Sequence, residues 1–140
     1  MSKVVVIGGG AAGMFAALGA VDAGHQVTIL EQNEKLGKKI YITGKGRCNL
    51  TNAGDDERFF QSVTTNSKFM YSSFYAFNNK DTIAFFEKLG LKTKVERGER
   101  VFPESNHSSD VIGVLKTKLN RLQNLEAVSY THLRAHATPE

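Results

Sequence analysis

The first thirty residues alternate between apolar runs and glycine-rich turns. Residues 4–7 form a continuous β-branched run that stops at Gly8, which is typical of a central parallel strand buried on both faces. Residues 11–23 carry apolar side chains at helical spacing and end before Gly24, and residues 26–30 form a second β-branched run. This order predicts an α/β fold that begins with a βαβ unit, whose crossover should be right-handed.

The rest of the chain combines a long polar loop with shorter amphipathic segments. Residues 31–54 are polar and rich in Gly and Lys, which predicts an ordered loop with little regular structure. Loops of that length inside a compact domain are usually functional. The aromatic-rich stretch 56–77 favours helical segments, with core packing as the role of most of its rings. The later elements expected are a helix over 81–89, a strand pair at 91–96 and 101–102 around a turn at 97–99, and a helix from Ser108 or Ser109 to about Leu122.

The residues after 128 break with this pattern. Residues 129–140 show no periodicity, and they resemble translated read-through of a sequencing adapter. We therefore expect residues 1–128 to be the N-terminal part of a nucleotide-binding domain and residues 129–140 to be a non-native tail. A genuine disordered tail is the alternative.

Composition and charge narrow the possible partners and compartments. The formal net charge is +4, but no run of five like charges occurs, so we expect no nucleic-acid partner. No apolar stretch approaches the length of a membrane span. Cys48 is the single cysteine, which suits a reducing compartment and hence the cytoplasm. His132 and His136 have helical metal spacing but lie in the suspect tail without partner acids, so we expect no metal site.

The glycine turn after the first strand has the pattern Gly8-x-Gly10-x-x-Gly13, which binds dinucleotides when a strand precedes it and a helix follows. Gly8 permits a tight turn, Gly10 lets the backbone approach a pyrophosphate, and Gly13 lets the helix pack against the strand. The free N–H groups and the dipole at the start of the helix favour phosphate charge.

Glu31 stands at the end of the second strand, 23 positions after Gly8. This is near the spacing of the acid that binds ribose hydroxyls in such units. Its carboxylate would repel a 2′-phosphate, so the site should not prefer an NADP-type ligand. The fingerprint alone leaves NAD and FAD open.

The next loop carries a more specific signal. Residues 44–52 read Gly-Lys-Gly-Arg-Cys-Asn-Leu-Thr-Asn, and residues 99–105 read Glu-Arg-Val-Phe-Pro-Glu-Ser. Both strings resemble a family of bacterial flavoproteins known as aminoacetone oxidase family FAD-binding enzymes, or BaiN-like flavoproteins. The resemblance covers about residues 3–125, and Glu99 stands where the family usually has glycine.

The resemblance implies a Rossmann-like FAD-binding domain of the two-dinucleotide-binding-domain flavoprotein type, of which this chain is an N-terminal fragment. It places the ADP half of FAD on the glycine turn and Glu31, Lys39 near the ribose or phosphates, and residues 43–51 around the pyrophosphate and flavin edge. The residues expected to bind FAD are Gly8, Gly10, Ala11, Ala12, Gly13, Glu31, Gln32, Lys39, Thr43, Gly44, Gly46, Arg47, Cys48, Asn49, Leu50 and Thr51.

The chemistry of these loop residues agrees with that role. Gly44 and Gly46 allow backbone amides to face an anion, and Arg47 adds fixed charge. Asn49 and Thr51 offer donors and acceptors for the polar rim of the flavin. No second cysteine is present, so disulfide exchange within the chain is excluded. We interpret Cys48 as a small buried loop residue beside the cofactor, with a nucleophile or a covalent flavin attachment as the alternatives. For Lys38 and Lys39, a solvated basic turn is equally consistent with the sequence.

The predicted activity is that of an FAD-dependent oxidoreductase in which flavin N5 and C4a carry the hydride or electron chemistry. A small molecule is the expected substrate and NAD(P)H a candidate reductant, while no catalytic acid or base is assigned. The alternatives are an NAD-dependent dehydrogenase domain and a non-enzymatic truncated product. A chain of 140 residues is short for a flavoenzyme. By itself we expect it to be marginally folded and inactive and not to retain FAD on purification, which a yellow eluate would contradict.

Overall fold

The computed structural model describes residues 1–130, which form two compact units. The first unit contains Met1–Ile40 and the chain from Leu115 onward, and the second contains Tyr41–Val114. Single-turn 3₁₀ helices lie at Thr43–Gly46, Ser67–Met70 and Arg97–Glu99. The strands and longer helices are β1 (Lys3–Ile7), α1 (Ala11–Asp22), β2 (Gln26–Glu31), α2 (Lys38–Ile42), β3 (Thr51–Asn52), α3 (Asp56–Ser62), α4 (Tyr71–Ala76), α5 (Asn79–Lys88), β4 (Thr93–Glu96), β5 (Arg100–Pro103), α6 (Ser108–Asn120) and β6 (Leu125–Ser129).

The first unit contains a parallel sheet with the strand order β1-β2-β6. Helix α1 connects β1 to β2, so the predicted βαβ unit is confirmed. Val27 and Ile29 of β2 are buried, as are Met14 and Ala17 of α1. These side chains supply the apolar packing of the unit, and the small Ala17 lets the helix approach the sheet closely.

The prediction that β1 is buried on both faces is wrong, because one face of this strand is half-buried and the other is exposed. Val5 is 58% exposed and Ile7 is 69% exposed. Strand residues alternate between faces, and the register places Ile7 beside Leu30 of β2, on the face opposite Ile29. Nothing within residues 1–130 covers that side of β1, and its outer edge has no partner strand there. A continuous apolar run shows that both faces of a strand are suited to burial. It does not show whether other elements pack on both faces.

Strand β6 was not predicted, because Leu125–Ser129 has neither alternation nor β-branched enrichment. It pairs with β2 in parallel, and Ser129 aligns with Glu31. The Ser129 hydroxyl donates to the Asn33 carbonyl at 3.0 Å, and the Tyr130 N–H donates to the Glu31 carbonyl at 2.8 Å. Ordered pairing therefore extends past the predicted boundary at residue 128. Residues 131–140, with His132 and His136, lie outside the described residues.

The second unit contains an antiparallel sheet with the order β3-β5-β4. The predicted strand pair around the 97–99 turn is confirmed. Helix α5 begins two residues earlier than predicted because Asn78 and Asp81 form a capping box, each side chain accepting from the other residue's backbone N–H at 2.9 Å. Helix α6 is confirmed as well, and it ends at Asn120 rather than Leu122.

The aromatic stretch of the second unit forms the predicted helical segments α3 and α4. Phe74 is buried and stacks on Phe59 with ring centroids 4.3 Å apart. Phe69 and Tyr75 are exposed, so core packing accounts for only part of this stretch. The loop expected over 31–54 contains the short helix α2, a 3₁₀ turn and the two residues of β3.

We predict that truncating two isoleucines of the parallel sheet changes the free energy of unfolding by very different amounts. Ile29→Ala should lower the free energy of unfolding by about 2–5 kcal/mol, because Ile29 is fully buried. Ile7→Ala is the matched control and should change it by less than about 0.5 kcal/mol, because Ile7 is exposed. Urea unfolding followed by circular dichroism measures both values. Equal losses would show that the outer face of β1 is covered.

Candidate functional site

The glycine turn after β1 depends on a very close approach of two backbones. Gly8 has φ +102°, a conformation that strains any residue with a Cβ, and its N–H donates to the Leu30 carbonyl at 2.7 Å. A Cβ on Gly13 would lie 1.9 Å from the carbonyl oxygen of Gly8. Only glycine can therefore stand at position 13 while the turn keeps this shape.

The start of α1 is open, and its own first turn carries no negative charge. Gly10 is the N-cap residue, no side chain caps the helix, and the first turn contains no acidic residue. A Cβ on Gly10 would meet nothing within 4 Å, and Ala11 and Ala12 are exposed. The unpaired N–H groups of a helix start attract anions, so this geometry fits a phosphate group.

Glu31 connects the end of β2 to the glycine turn. Its Oε1 accepts from the Gly9 N–H at 3.0 Å, and its Oε2 accepts from the N–H and the side-chain amide of Asn33 at 3.1 and 3.3 Å. Burial acts to raise the pKa of Glu31, but the hydrogen bonds from Asn33 and Gly9 hold this pKa below its usual value. The carboxylate is therefore charged at neutral pH, and Oε1 keeps acceptor capacity for a ribose hydroxyl.

Other predicted residues of the first unit lie at its surface. Lys39 and Gln32 are exposed. The neighbouring Lys38 reaches the Glu31–Asn33 pair instead, with its Nζ donating to Asn33 Oδ1 at 3.4 Å. A contact between Lys39 and the ribose or phosphates stays a prediction.

The predicted flavin loop, residues 43–51, is tightly folded within the second unit. Gly44 and Gly46 have positive φ, and so do Lys45 and Cys48 despite their side chains. A Cβ on Gly44 would lie 2.7 Å from the backbone nitrogen of Asn49, so glycine is required there. The Cys48 N–H donates to the Thr43 carbonyl at 3.0 Å, which closes the loop on itself.

Arg47 fixes this loop through three kinds of contact. Its Nη2 lies 2.5 Å from Glu96, and Nε and Nη2 donate to Asn106 Oδ1 at 3.0 and 2.8 Å. Its guanidinium also lies 4.0 Å from the centre of the Phe102 ring. Hydrogen bonds from Arg47 and Lys94 lower the pKa of Glu96. The structure thus gives Arg47 a role in holding the loop, and a contact with pyrophosphate stays a prediction.

The end of the loop joins the antiparallel sheet. In the orientation of its side-chain amide that satisfies both oxygen and nitrogen, Asn49 donates to the carbonyls of Val101 and Thr51 at 3.2 and 3.0 Å. The Leu50 N–H donates to the Val101 carbonyl at 2.8 Å. Cys48 is buried, and burial raises the pKa of its thiol, although a hydrogen bond with Thr43 acts the other way. The thiol is therefore protonated at neutral pH and a weak nucleophile.

A cleft of about 330 Å³ in the second unit includes two residues that the sequence did not single out, Arg58 and Asn79. Thr51 lines it together with Arg58, Phe59 and Asn79. Asn79 follows the cap residue Asn78 and looks in the sequence like an ordinary first-turn residue of a helix. No sequence signal marks it, because its burial depends on contacts with distant backbone.

Residues 1–130 contain neither a cluster of metal-binding side chains nor a membrane-spanning helix. No three His, Cys, Asp or Glu side chains in this part of the chain cluster closely enough to hold a metal ion. Within the same residues, no helix combines the length and apolar character that crossing a bilayer requires.

Comparison with known proteins gives consistent matches. The profile of a family described as HI0933-like protein Rossmann domain matches residues 2–135. The chain is 40% identical over 139 residues to 3-dehydro-bile acid delta(4,6)-reductase from Clostridium scindens, covering 98% of this chain and 32% of that protein. It is 28% identical over 120 residues to ribosomal RNA dihydrouridine synthase from Haemophilus influenzae, covering 86% and 29%. The chain thus spans about a third of the length of these relatives.

A solved structure supports the fold. The crystal structure of Thermovibrio ammonificans THI4 matches with a TM-score of 0.55 and 10% identity, covering 89% of this chain and 37% of that chain. At this identity the likeness concerns the fold alone. Together with the family match, it confirms the predicted α/β, Rossmann-like class.

We predict that two glycines of α1 respond oppositely to alanine. Gly13→Ala should destabilise the chain by at least ~1–3 kcal/mol, because its Cβ would overlap the Gly8 carbonyl. Gly19→Ala should stabilise it by up to about 1 kcal/mol, because nothing lies within 4 Å and alanine favours helix. Chemical unfolding of both variants tests this, and a neutral Gly13→Ala would contradict the close approach.

Glu31 should make stability depend on pH in a defined direction. Because folding lowers the pKa of Glu31 from its ordinary value of 4.5, its contribution is present above that pH and is lost as pH falls through the folded pKa. The difference in unfolding free energy between wild type and Glu31→Gln should therefore shrink on acidification from pH 7. Glu34→Gln controls for the loss of one exposed negative charge. A difference that grows in acid would contradict the assignment.

Proposed function

Because this chain belongs to the HI0933-like Rossmann domain family, we propose that it binds FAD and forms the nucleotide-binding part of a flavin-dependent oxidoreductase. The observation that carries this proposal is the geometry of the glycine turn. Gly13 approaches the Gly8 carbonyl so closely that a Cβ has no room, and this approach sets the uncapped start of α1 beside the turn. Such an arrangement suits a pyrophosphate.

The two halves of the ADP moiety have different proposed partners. The first-turn N–H groups of α1, in residues Ala11 to Gly13, would bind the pyrophosphate, with Gly10 leaving the approach open. Glu31 would accept the ribose hydroxyls through Oε1, and its negative charge disfavours a 2′-phosphate. These assignments favour FAD or NAD over NADP in the first unit.

The choice of FAD over NAD rests on the second loop. Residues 44–52 resemble the flavin-edge segment of BaiN-like flavoproteins, and the relative from Clostridium scindens is 40% identical. In the structure, Gly44 and the Arg47 contacts hold this loop in one shape. A loop fixed before binding loses little conformational entropy when a cofactor docks, which supports a role in positioning the flavin.

The names of the two relatives suggest a reaction class for the whole enzyme. A delta(4,6)-reductase and a dihydrouridine synthase both add hydrogen across a carbon–carbon double bond. We propose the same chemistry here, on a small substrate whose double bond is conjugated with a carbonyl, such as an enone or a uracil ring. Bound FAD would supply the hydride, a proton would complete the addition, and NAD(P)H would supply the electrons. The single cysteine favours a cytoplasmic setting.

The proposed cofactor site can be tested by equilibrium dialysis of the chain against FAD and ADP, which measures weak binding that purification would lose. Glu31→Gln should weaken both ligands roughly 10- to 100-fold, because a charged hydrogen-bond acceptor for the ribose is lost. Glu34→Gln is the matched control and should leave both affinities unchanged. No FAD binding by the wild-type chain, or equal binding by Glu31→Gln, would contradict the proposal.

A further inference from the structure

The loop after β2 folds back onto the glycine turn. Both polar groups of the buried Gly9 are bonded to this loop, since its N–H donates to Glu31 Oε1 at 3.0 Å and its carbonyl accepts from the Gly37 N–H at 2.8 Å. A Cβ on Gly9 would lie 2.3 Å from Leu36 Cδ2, so the two segments are in close contact. Contacts within the first unit therefore set the position of the Glu31 carboxylate beside the turn.

Asn33 occupies one oxygen of that carboxylate. Its backbone N–H and its side-chain Nδ2 both donate to Glu31 Oε2, at 3.1 and 3.3 Å. Lys38 determines which way the Asn33 amide is turned, because its Nζ donates to Asn33 Oδ1 at 3.4 Å. Turning the amide over would put Oδ1 against a carboxylate oxygen and Nδ2 against the ammonium group. The side chain of Asn33 is therefore a donor to Glu31.

The two oxygens of Glu31 consequently differ in what they can still accept. An ionised carboxylate has about four lone-pair sites, two on each oxygen. The two donors of Asn33 take both sites of Oε2, whereas the Gly9 N–H takes one site of Oε1 and leaves the other. A ribose carries two neighbouring hydroxyls, and a carboxylate with both oxygens free accepts one hydroxyl on each. Glu31 in this environment has room for one.

We propose that Asn33 is a positioning residue that makes Glu31 select one ribose hydroxyl. With Oε2 saturated by Asn33, Oε1 is the acceptor left for the nucleotide, so the carboxylate binds a single hydroxyl rather than the 2′,3′-diol as a pair. The inference rests on the proposed function, which places a ribose at Glu31, and it narrows the specificity of that site. Without the Asn33 side chain, the carboxylate is free to turn and to accept from either hydroxyl.

Two deoxy analogues of ADP test the proposal from the ligand side. Equilibrium dialysis of the full chain compares ADP with 2′-deoxy-ADP and with 3′-deoxy-ADP. One analogue should bind at least about tenfold more weakly than ADP, because it lacks the hydroxyl that donates to a charged acceptor. The other should bind nearly as well as ADP, and the pair thus identifies the selected hydroxyl. Equal losses for both analogues, or no loss for either, would overturn the proposal.

Variants in the loop test it from the protein side. Asn33→Ala should bring the ratio of the affinities for the two deoxy analogues close to one, and a ratio that persists would contradict the role of Asn33. A merely structural defect lowers both affinities together and leaves their ratio unchanged. Glu34→Ala is the matched control, because it truncates an exposed neighbour and should keep the ratio. If Asn33→Ala fails to fold by circular dichroism, Asn33→Asp takes its place, since it keeps the side-chain shape and loses the Nδ2 donor.

The outcomes separate this inference from the proposed function. If Glu31→Gln weakens FAD and ADP but the two deoxy analogues bind alike, the proposed function stands and the assignment of Asn33 falls. If ADP does not bind, or if Glu31→Gln leaves its affinity unchanged, both fall. Discrimination between the deoxy analogues that Asn33→Ala removes, without any binding of FAD, would support the role of Asn33 and contradict the choice of FAD.

Discussion

The close approach of Gly13 to the Gly8 carbonyl is the constraint on which the first unit depends. It lets α1 start directly beside the end of β1, and it forces the intervening chain into a turn that only glycine at position 8 adopts without strain. The turn in turn presents the Gly9 N–H to Glu31, so strand end, turn and helix start are tied by one carboxylate. A single side-chain carbon at position 13 would disturb all three.

In the second unit, the positive charge of Arg47 holds the 43–51 loop in its shape. Arg47 satisfies its guanidinium on Glu96, Asn106 and the Phe102 ring, which holds a loop that contains several left-handed residues. Left-handed conformations of Lys45 and Cys48 are unfavourable for L-residues, so the surrounding contacts must compensate for them. Arg47 thus has an observed role in holding the loop, and its contact with a ligand stays a prediction.

Much of the fold could be predicted because local patterns specify it. The glycine turn, α1, the strand pair around Gly98 and helix α6 all follow from periodicity and turn residues, and they are present. Strand β6 escaped prediction because its pairing with β2 is a long-range property that its own five residues do not encode. The exposure of Ile7 could not be predicted for the same reason, because an apolar side chain does not indicate whether another element packs on it.

The residues of the candidate site also divide into those that local sequence patterns specify and those that depend on long-range contacts. Gly8, Gly13 and Glu31 could be assigned because each has a role in a local motif with fixed spacing, and the geometry around them fits those roles. Arg47 was predicted from the family resemblance of its loop and from its charge, but its ion pair with Glu96 spans 49 positions and cannot be seen in the sequence. Asn79 was missed because its burial and its hydrogen bonds to the carbonyls of Asn52 and Gly54 depend on residues 25 and 27 positions away in the sequence.

The outer face of β1 has a consequence for how this chain behaves in a cell. Val5 and Ile7 lie on a strand whose outer edge has no partner among residues 1–130, which is the kind of surface that recruits other extended chains. Because synthesis runs from the N-terminus, β1 leaves the ribosome before every other element described here. A holdase chaperone that recognises extended apolar segments would therefore meet β1 before β2 is available to pair with it, and Val5 and Ile7 stay exposed once the unit has folded.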